Sequence, residues 1–582
     1  MTETASTDST SVDTPTDTSS VDTPESTPAA VGGRIMDLPD RVRQIAETDP
    51  TRLALIHEHR WIGSKPRTTT TTYGELSHRA EAVAVGLREF GVREGTLCSF
   101  MIPPCEDAMV AALALWRVGA VMVGIEPHSH GLRSVGKSIA RVGPEVFLGT
   151  PEAQAGRLAF GWGKPTISKN ILVGPAKFPG VTTLASLERP VTGEPALPDV
   201  QVDDPCVIAF TTGSTGHPKP TVMTHRNLTS MIDGVAAQWR LAEHGDVIDM
   251  PTFPIFWIIG LFHGGTVVVP PMNFATKGPG SADPAKLVAT IQRHQVASFF
   301  GSPAVLTNLA RHCADHGIKL PSINRIVAGG AEVYGPLYAA VKNMLVDGEI
   351  YSNYGATEAL PIAEIAGATV LGETWARTEA GEGLCVGDPL AKVEVRIVDI
   401  VDDPIPTMDD AVVLEPGQIG EVVARSAHIS DRYWDAPDEM TDNKIEDGAT
   451  RWHRLGDTGW LDDQGRLWVC GRRSHRVITD ERTYYPLCVE PVINTHAAVV
   501  KSALVEPVVG GMKTAAVCVE LRPEARVNQE RIERDLTDLA EQHDATRGLA
   551  TFFFIDHLPV DKRHNAKIDR PGLGRTLSAT PA

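Results

Sequence analysis

Cysteine is scarce in this chain, eight in 582 residues, and no Cys-x-x-Cys pair or His/Cys cluster has the spacing of a zinc site. Neither a disulfide scaffold nor a structural metal site is expected; reduced, cytoplasmic thiols are. Positive charge is also short: 54 Lys and Arg stand against 73 Asp and Glu, a formal charge of −19. That balance argues against a nucleic-acid partner, which is recognised through its phosphates. Long apolar runs are missing too. The longest, Pro254 to Pro270, contains His263 and three glycines, is short for a bilayer span, and reads as buried core or the wall of a substrate pocket. The first 33 residues hold six acids and no Lys or Arg, and they lack the apolar stretch of a signal peptide. Met1 to Gly33 is expected to be a disordered acidic tail rich in Ser, Thr and Pro.

What remains is ordinary globular sequence, 42% apolar and 22% charged, in a chain several times the length of one domain. Beyond Arg34, apolar runs of strand length alternate with segments of helical period, the pattern of helices covering a mostly parallel sheet. Asp283 and Pro284 give an N-cap and first-turn signal, Leu287, Val288 and Ile291 follow at helical spacing, and Val296 to Phe300 reads as a buried strand. Cys206 to Phe210 is another apolar strand. A Gly, Ser and Thr loop follows it, and Leu228, Met231 and Val235 then line one helix face, giving strand, loop, helix. Near the C-terminus come a short strand at Leu467 to Cys470, a charged helix at Asn528 to His543, and an aromatic strand at Thr551 to Ile555 ahead of a basic, helix-poor tail. The expected organisation is an α/β fold. A large N-terminal domain of sheets covered by helices takes residues 34–471, and a small α+β domain takes residues 472–582. No repeat of solenoid length is visible.

The residues able to carry chemistry fall in four places. Thr211-Thr212-Gly213-Ser214-Thr215-Gly216-His217-Pro218-Lys219 packs hydroxyls, two glycines and a lysine after a strand. Glycines let backbone N–H groups approach an anion, hydroxyls add donors and Lys219 adds a point charge, which suits a polyphosphate. By itself the loop reads equally well as a surface turn. It is not a Walker A loop, because Lys219 is flanked by prolines. Ser214 lacks one glycine of a nucleophile elbow, which disfavours an α/β-hydrolase. Gly381-Glu382-Gly383 with Gly387 misses the dinucleotide fingerprint by one residue. In Tyr354-Gly355-Ala356-Thr357-Glu358 the carboxylate is a candidate magnesium ligand, since a hard cation takes one or two protein oxygens and leaves the rest to phosphate and water. Asp457, in Gly456-Asp457-Thr458-Gly459-Trp460, can accept from paired ribose hydroxyls or cap a turn. Lys567, in the basic stretch His564 to Arg570, can meet a carboxylate or a leaving phosphate, or simply be solvated.

The order and separation of these motifs, with Gly471-Arg472 after a strand, resemble the adenylate-forming superfamily of acyl-CoA synthetases, nonribosomal-peptide adenylation domains and luciferases. The likeness runs from about Arg34 to about Leu573. Members join a carboxylate to the α-phosphate of ATP, giving acyl-AMP and pyrophosphate. The resemblance implies that Thr211, Thr212, Gly213, Ser214, Thr215, Gly216 and Lys219 hold the β- and γ-phosphates. Thr357 would touch the α-phosphate and Glu358 would ligate Mg²⁺. Asp457 and Arg472 would hold the ribose, and Gly329, Gly330 and Ala331 would flank the adenine, with Tyr354, Gly355 and Ala356 in the same nucleotide-binding set. Lys567, on a small mobile lid domain, would bridge the substrate carboxylate and AMP.

Pro251-Thr252-Phe253-Pro254, Phe300-Gly301-Ser302-Pro303, Tyr354 to Pro361, Asn494-Thr495-His496 and His564-Asn565-Ala566-Lys567 further resemble the olefin-pathway β-lactone synthetases. That family closes a 2-alkyl-3-hydroxy fatty acid to a β-lactone through acyl-AMP. Ser474 and the bulky Tyr484 and Tyr485 stand where acyl-CoA synthetases have a charged hinge residue and a glycine-containing loop for the CoA thiol, and Ala566 replaces their glycine. The expectation is ATP- and Mg²⁺-dependent lactone formation from a fatty-acid-derived substrate, in the cytoplasm. Association with other enzymes of a lipid or hydrocarbon pathway fits that setting. The alternative is a long-chain acyl-CoA synthetase, which would also use CoA, or a fatty-acyl-AMP ligase. For the hydroxyl proton, His217, His225 and His263 are candidates by sequence position alone.

Overall fold

Strands that are apolar on both sides, such as Val146-Phe147-Leu148 and Phe299-Phe300, belong in sheets covered on both faces, and that is where they lie. The computed structural model describes residues 30–31, 34–35, 38–62, 65–125, 127–174, 181–191, 193, 197–212, 218–243, 247–274, 278–509, 511–559 and 568–578. Of the N-terminal tail, Ala30–Val31 pairs with Arg34–Ile35; residues 1–29 and 32–33 lie outside the described residues. Asp37–Ala582 is a separate unit, and all that follows concerns it.

Among the described residues one sheet has eight strands. Its parallel part is Pro205–Thr212, Val121–Gly124, Leu97–Met101, Val146–Gly149, Lys169–Leu172 and Thr182–Thr183. A second sheet is parallel through Leu53–Ile62, Thr266–Val269, Ile248–Pro251, Ser298–Gly301, Arg325–Ala328 and Glu349–Ala356. It turns antiparallel at Ala359–Ala366 and continues through Leu384–Pro389, Leu467–Arg472, Thr450–Leu461, Gly420–Arg425 and Glu394–Val398. The two-residue period of a strand divides its side chains between two cores. Phe300 and Val327 enter the core shared with Trp257 and Ile232, whereas Phe299 and Ile326 pack with Leu287, Leu306 and Val341 of the covering helices Pro284–His294, Pro303–Asp315 and Gly335–Met344. The apolar run Pro254 to Pro270 is buried core as expected: it forms the helix Trp257–Phe262, every residue of which is buried, and the strand Thr266–Val269.

A three-stranded sheet, Val499–Val505, Ala516–Leu521 and Phe552–Ile555, closes the C-terminal part. The helices Pro486–Ile493 and Gln529–Glu541 pack on one face, through Val489, Leu536 and Val517. On the other face Ile568 and Leu573 pack against Ala503 and Cys518. Two expectations need correction. The C-terminal tail is not helix-poor: Arg570–Ser578 is a helix, held by its buried Leu573 and by Arg570, whose Nη2 lies 2.7 Å from Glu490 Oε2. Between the glycine-rich loop and the helix His225–Gln238 there is also an additional strand, Pro218–Thr224, antiparallel to Pro205–Thr212, so the order is strand, loop, strand, helix.

Candidate active site

Ligand sites in open α/β sheets gather at the carboxyl ends of parallel strands. Three such ends meet here. At the first, Pro205–Thr212 turns into Pro218–Thr224, with Thr211 paired to Lys219 and residues 213–217 between them. At the second, Glu349–Ala356 reverses into Ala359–Ala366 through Thr357 and Glu358. That reversal needs a glycine: a Cβ on Gly355 would stand 2.3 Å from the Ala359 carbonyl oxygen. The tight turn carries Glu358 inward, where it is 7% exposed. The hydroxyls of Thr211 and Tyr433 both donate to its Oε1, each at 3.2 Å, and Ser430 N–H donates to its main-chain carbonyl at 2.8 Å. Lys219 is near enough to feel Glu358, Glu439 and Asp442; burial lowers its pKa against their pull, and its Nζ donates to Asn443 Oδ1 at 3.0 Å.

The third end is Arg325–Ala328, which runs into Gly329, Gly330 and Ala331. Gly329 is covered by Phe300, whose ring a Cβ would approach to 3.1 Å, and lies beside Asn353. Gly330 takes φ +91°, a conformation that favours glycine. One residue past Asn353, the Tyr354 hydroxyl donates to Asp457 Oδ2 at 2.7 Å. Asp457 stands directly opposite Arg472 on adjacent antiparallel strands, with Oδ1 3.2 Å from Arg472 Nε. Arg472 also donates to the Leu455 carbonyl at 2.8 Å. Burial and the neighbouring carboxylate hold the Tyr354 phenol protonated, well above its usual pKa. An ionised carboxylate can accept about four hydrogen bonds, so Asp457 keeps acceptor capacity beyond these two partners. An apolar wall adjoins the set: Phe256 stacks on Phe300 at 3.7 Å, Phe253 meets its edge at 5.7 Å, and Thr252 N–H donates to the Phe300 carbonyl at 2.9 Å.

Against known proteins, the family model for AMP-binding enzymes matches residues 42–434. The chain belongs to the AMP-binding enzymes. It is 36% identical over 560 residues to the olefin β-lactone synthetase of Stenotrophomonas maltophilia, covering 95% of this chain and 98% of that one. It is also 36% identical to the olefin β-lactone synthetase of Xanthomonas campestris, covering 87% and 90%. In fold it is similar to the amide bond synthetase McbA of Marinactinospora thermotolerans, with a TM-score of 0.76 at 22% identity over 93% of this chain and 99% of that one. The expected adenylate-forming fold, with its large mixed sheets and smaller C-terminal part, is thus the observed one, and the protein is an adenylate-forming enzyme of the ligase and synthetase class.

The residues singled out from this family's motifs do not all stand together. Thr211, Lys219 and Glu358 form one polar cluster, and Tyr354, Asp457 and Arg472 form another. Asp457 lies within the strand Thr450–Leu461, at a slip in its pairing with Gly420–Arg425 where Gly456 takes φ +68°. Thr357 is exposed at its turn. Gly213, Ser214, Thr215, Gly216 and His217, Ala566 and Lys567, and the Thr212 side chain, lie outside the described residues. His225 is fully buried, with a ring kept neutral by burial at a pKa of about 4. His263 opens instead on a small pocket with Asp249 and Ser298. Tyr484 is buried in the C-terminal core and donates to the Arg547 carbonyl at 2.8 Å. Sequence reasoning missed Tyr433, Asn443 and Lys444, which contact Glu358, Lys219 and Ser430 respectively. Nothing in the spacing of their stretch marks them out.

Proposed function

We propose that the protein activates a 2-alkyl-3-hydroxy fatty acid with ATP and closes the acyl-AMP to a β-lactone, releasing pyrophosphate and then AMP. The observation that carries this reading is the 36% identity, nearly end to end, with an olefin β-lactone synthetase. The site supports it. The 211–219 loop would hold the β- and γ-phosphates and Thr357 the α-phosphate, while Asp457 and Arg472 would take the ribose hydroxyls and Gly329 to Ala331 the adenine. The Phe253, Phe256 and Phe300 wall suits an alkyl chain. A carboxylate with a threonine hydroxyl beside it is a hard-oxygen donor set that fits Mg²⁺, and Glu358 would ligate it; the bound ion would neutralise phosphate charge. We place the division between the large domain and the lid at Gly471, which takes φ +125° where a Cβ would press on Pro486 at 3.0 Å.

In the first step the substrate carboxylate, already deprotonated at neutral pH, attacks the α-phosphorus and pyrophosphate leaves. Such chemistry needs positioning and charge neutralisation more than a dedicated base. In the second, the 3-hydroxyl oxygen attacks the acyl carbon and gives up its proton to water or the departing phosphate, and AMP leaves with the electrons of the broken acyl–oxygen bond. Nucleophile and electrophile share one molecule, so proximity is built in and no thiol need be captured. All eight cysteines are free and no described helix is long and apolar enough to cross a membrane, which suits work in the cytoplasm on a substrate handed over by neighbouring enzymes of a lipid pathway.

Incubation with ATP and a 2-alkyl-3-hydroxy acid, followed by mass spectrometry, is expected to give the β-lactone at the same rate with and without CoA. Turnover that requires CoA and yields only thioester would replace this reading with an acyl-CoA synthetase. Tyr354→Phe removes one donor from Asp457 and is expected to raise the KM for ATP about 3- to 10-fold with kcat within about twofold, the size of one hydrogen bond. Steady-state kinetics with varied ATP check it.

A further inference from the structure

Lys444 begins the strand Lys444–Asp447 and is only 4% exposed. An ammonium is seldom buried without a reason, since desolvation costs several kcal/mol unless the charge is compensated. Its Nζ donates to the Ser430 carbonyl and lies 5.5 Å from the centroid of the Tyr433 ring. Both contacts lead to one place. Ser430 N–H donates to the Glu358 main chain at 2.8 Å, and the Tyr433 hydroxyl donates to Glu358 Oε1 at 3.2 Å. The preceding residue, Asn443, accepts from Lys219 at 3.0 Å. Two adjacent residues, far in sequence from either motif, therefore support both the loop lysine and the turn carboxylate. The charges acting on Lys444 are the attractions of Glu358 and Asp431, opposed by Arg451 and Lys219.

A leucine or methionine could fill this volume without the desolvation cost. What an ammonium adds is a grip on one carbonyl, an attraction to the face of a tyrosine ring, and positive potential beneath a buried carboxylate. The first two act on the position of Glu358, and the third attracts its carboxylate.

We propose that Lys444 is a positioning residue which, through Ser430 and Tyr433, aims the Glu358 carboxylate at the metal of the bound nucleotide. The proposal rests on the reading that Glu358 ligates Mg²⁺. Lys444 itself touches neither nucleotide nor acid. Groups that orient a metal ligand from behind commonly change metal affinity 10- to 100-fold.

The test is ATP binding by calorimetry on the full chain, in Mg²⁺ and in EDTA, for wild type, Glu358→Gln, Tyr433→Phe, Lys444→Met and Lys444→Arg. Wild type should bind ATP more tightly in Mg²⁺, and Glu358→Gln should lose that gain. Tyr433→Phe and Lys444→Met should lose about 10-fold of it, with binding in EDTA unchanged, and Lys444→Arg should recover part. If Lys444→Met does not fold, Tyr433→Phe, which removes one oxygen, decides. Full Mg²⁺ enhancement in Glu358→Gln would refute the metal role of Glu358 itself. Loss in Glu358→Gln, with full enhancement kept in Tyr433→Phe and Lys444→Met, would overturn the role of Lys444 alone.

Discussion

Alanine in place of Lys567 is expected to lower acid-dependent pyrophosphate release by about 10²- to 10³-fold, the usual cost of removing one charge that meets the transition state, with no loss of fold. On the proposed reading this lysine would stand between the substrate carboxylate and the α-phosphate, where negative charge is exchanged as the bond forms. An interaction strongest in the transition state lowers kcat more than it raises KM. ATP affinity should therefore fall much less than turnover. The residues that follow give the prediction a structural footing. Ile568 is 7% exposed and packs with Ala503 and Cys518, and Arg570 grips Glu490 through Nε at 3.0 Å and Nη2 at 2.7 Å. The chain is anchored one residue past the lysine, so removing the lysine's own side chain leaves that anchor in place. Lys567→Arg should restore little, because a planar fork does not replace a compact ammonium at a point-charge site. Rapid-quench measurement of acyl-AMP formation, with thermal melting alongside, checks both. A near-normal burst in Lys567→Ala would remove the residue from the chemistry.

The motifs of the candidate site are legible in sequence because they are local. Tyr354 to Glu358 is a strand end and its two-residue turn, whose glycine is forced by the Ala359 carbonyl, and no distant residue is needed to recognise it. Asp457 could not be settled locally: what decides its surroundings is Arg472 opposite it across a strand pair and Tyr354 from another part of the sheet. Tyr433 and Lys444 were invisible for the same reason carried further, since Tyr433 reaches Glu358 from a distant part of the chain and Lys444 meets that carboxylate only through Ser430 and Tyr433. The missed strand Pro218–Thr224 contains two prolines, which argue against a central strand. Pro218 sits at its first position, and the carbonyl of Pro220 accepts from Trp434 N–H at 2.8 Å, so what proline can still offer, its acceptor, is used. The missed helix Arg570–Ser578 has poor helix formers in Pro571, Gly572 and Gly574. Tertiary packing overrides propensity there: proline is tolerated in the first turn, and a Cβ on Gly574 would come within 3.2 Å of the Glu506 carbonyl.

Glu421→Ala is expected to destabilise the protein by about 3–5 kcal/mol, as when one partner of a buried ion pair is removed. Glu421 is 1% exposed and Arg454 3%. Arg454 reaches Glu421 Oε2 through Nη2 at 2.6 Å and also donates to the carbonyls of Val401 and Asp403, at 2.8 and 3.0 Å. Arg473 donates to the same Oε2 at 3.2 Å. Without Glu421 two guanidinium groups would lose their counter-charge, and Arg454 has no route to water. The pair need not be worth much against an apolar alternative, because both charges were desolvated to make it. The double replacement Glu421→Leu with Arg454→Met should therefore be distinctly more stable than Glu421→Ala. Urea unfolding of the three proteins gives the order wild type, double variant, single variant if the cost is an orphaned charge. Glu421 faces Thr458, next to Asp457, on the neighbouring strand, so partial unfolding here should also weaken ATP binding. A double variant as unstable as Glu421→Ala would mean that lost packing, not an uncompensated guanidinium, sets the cost.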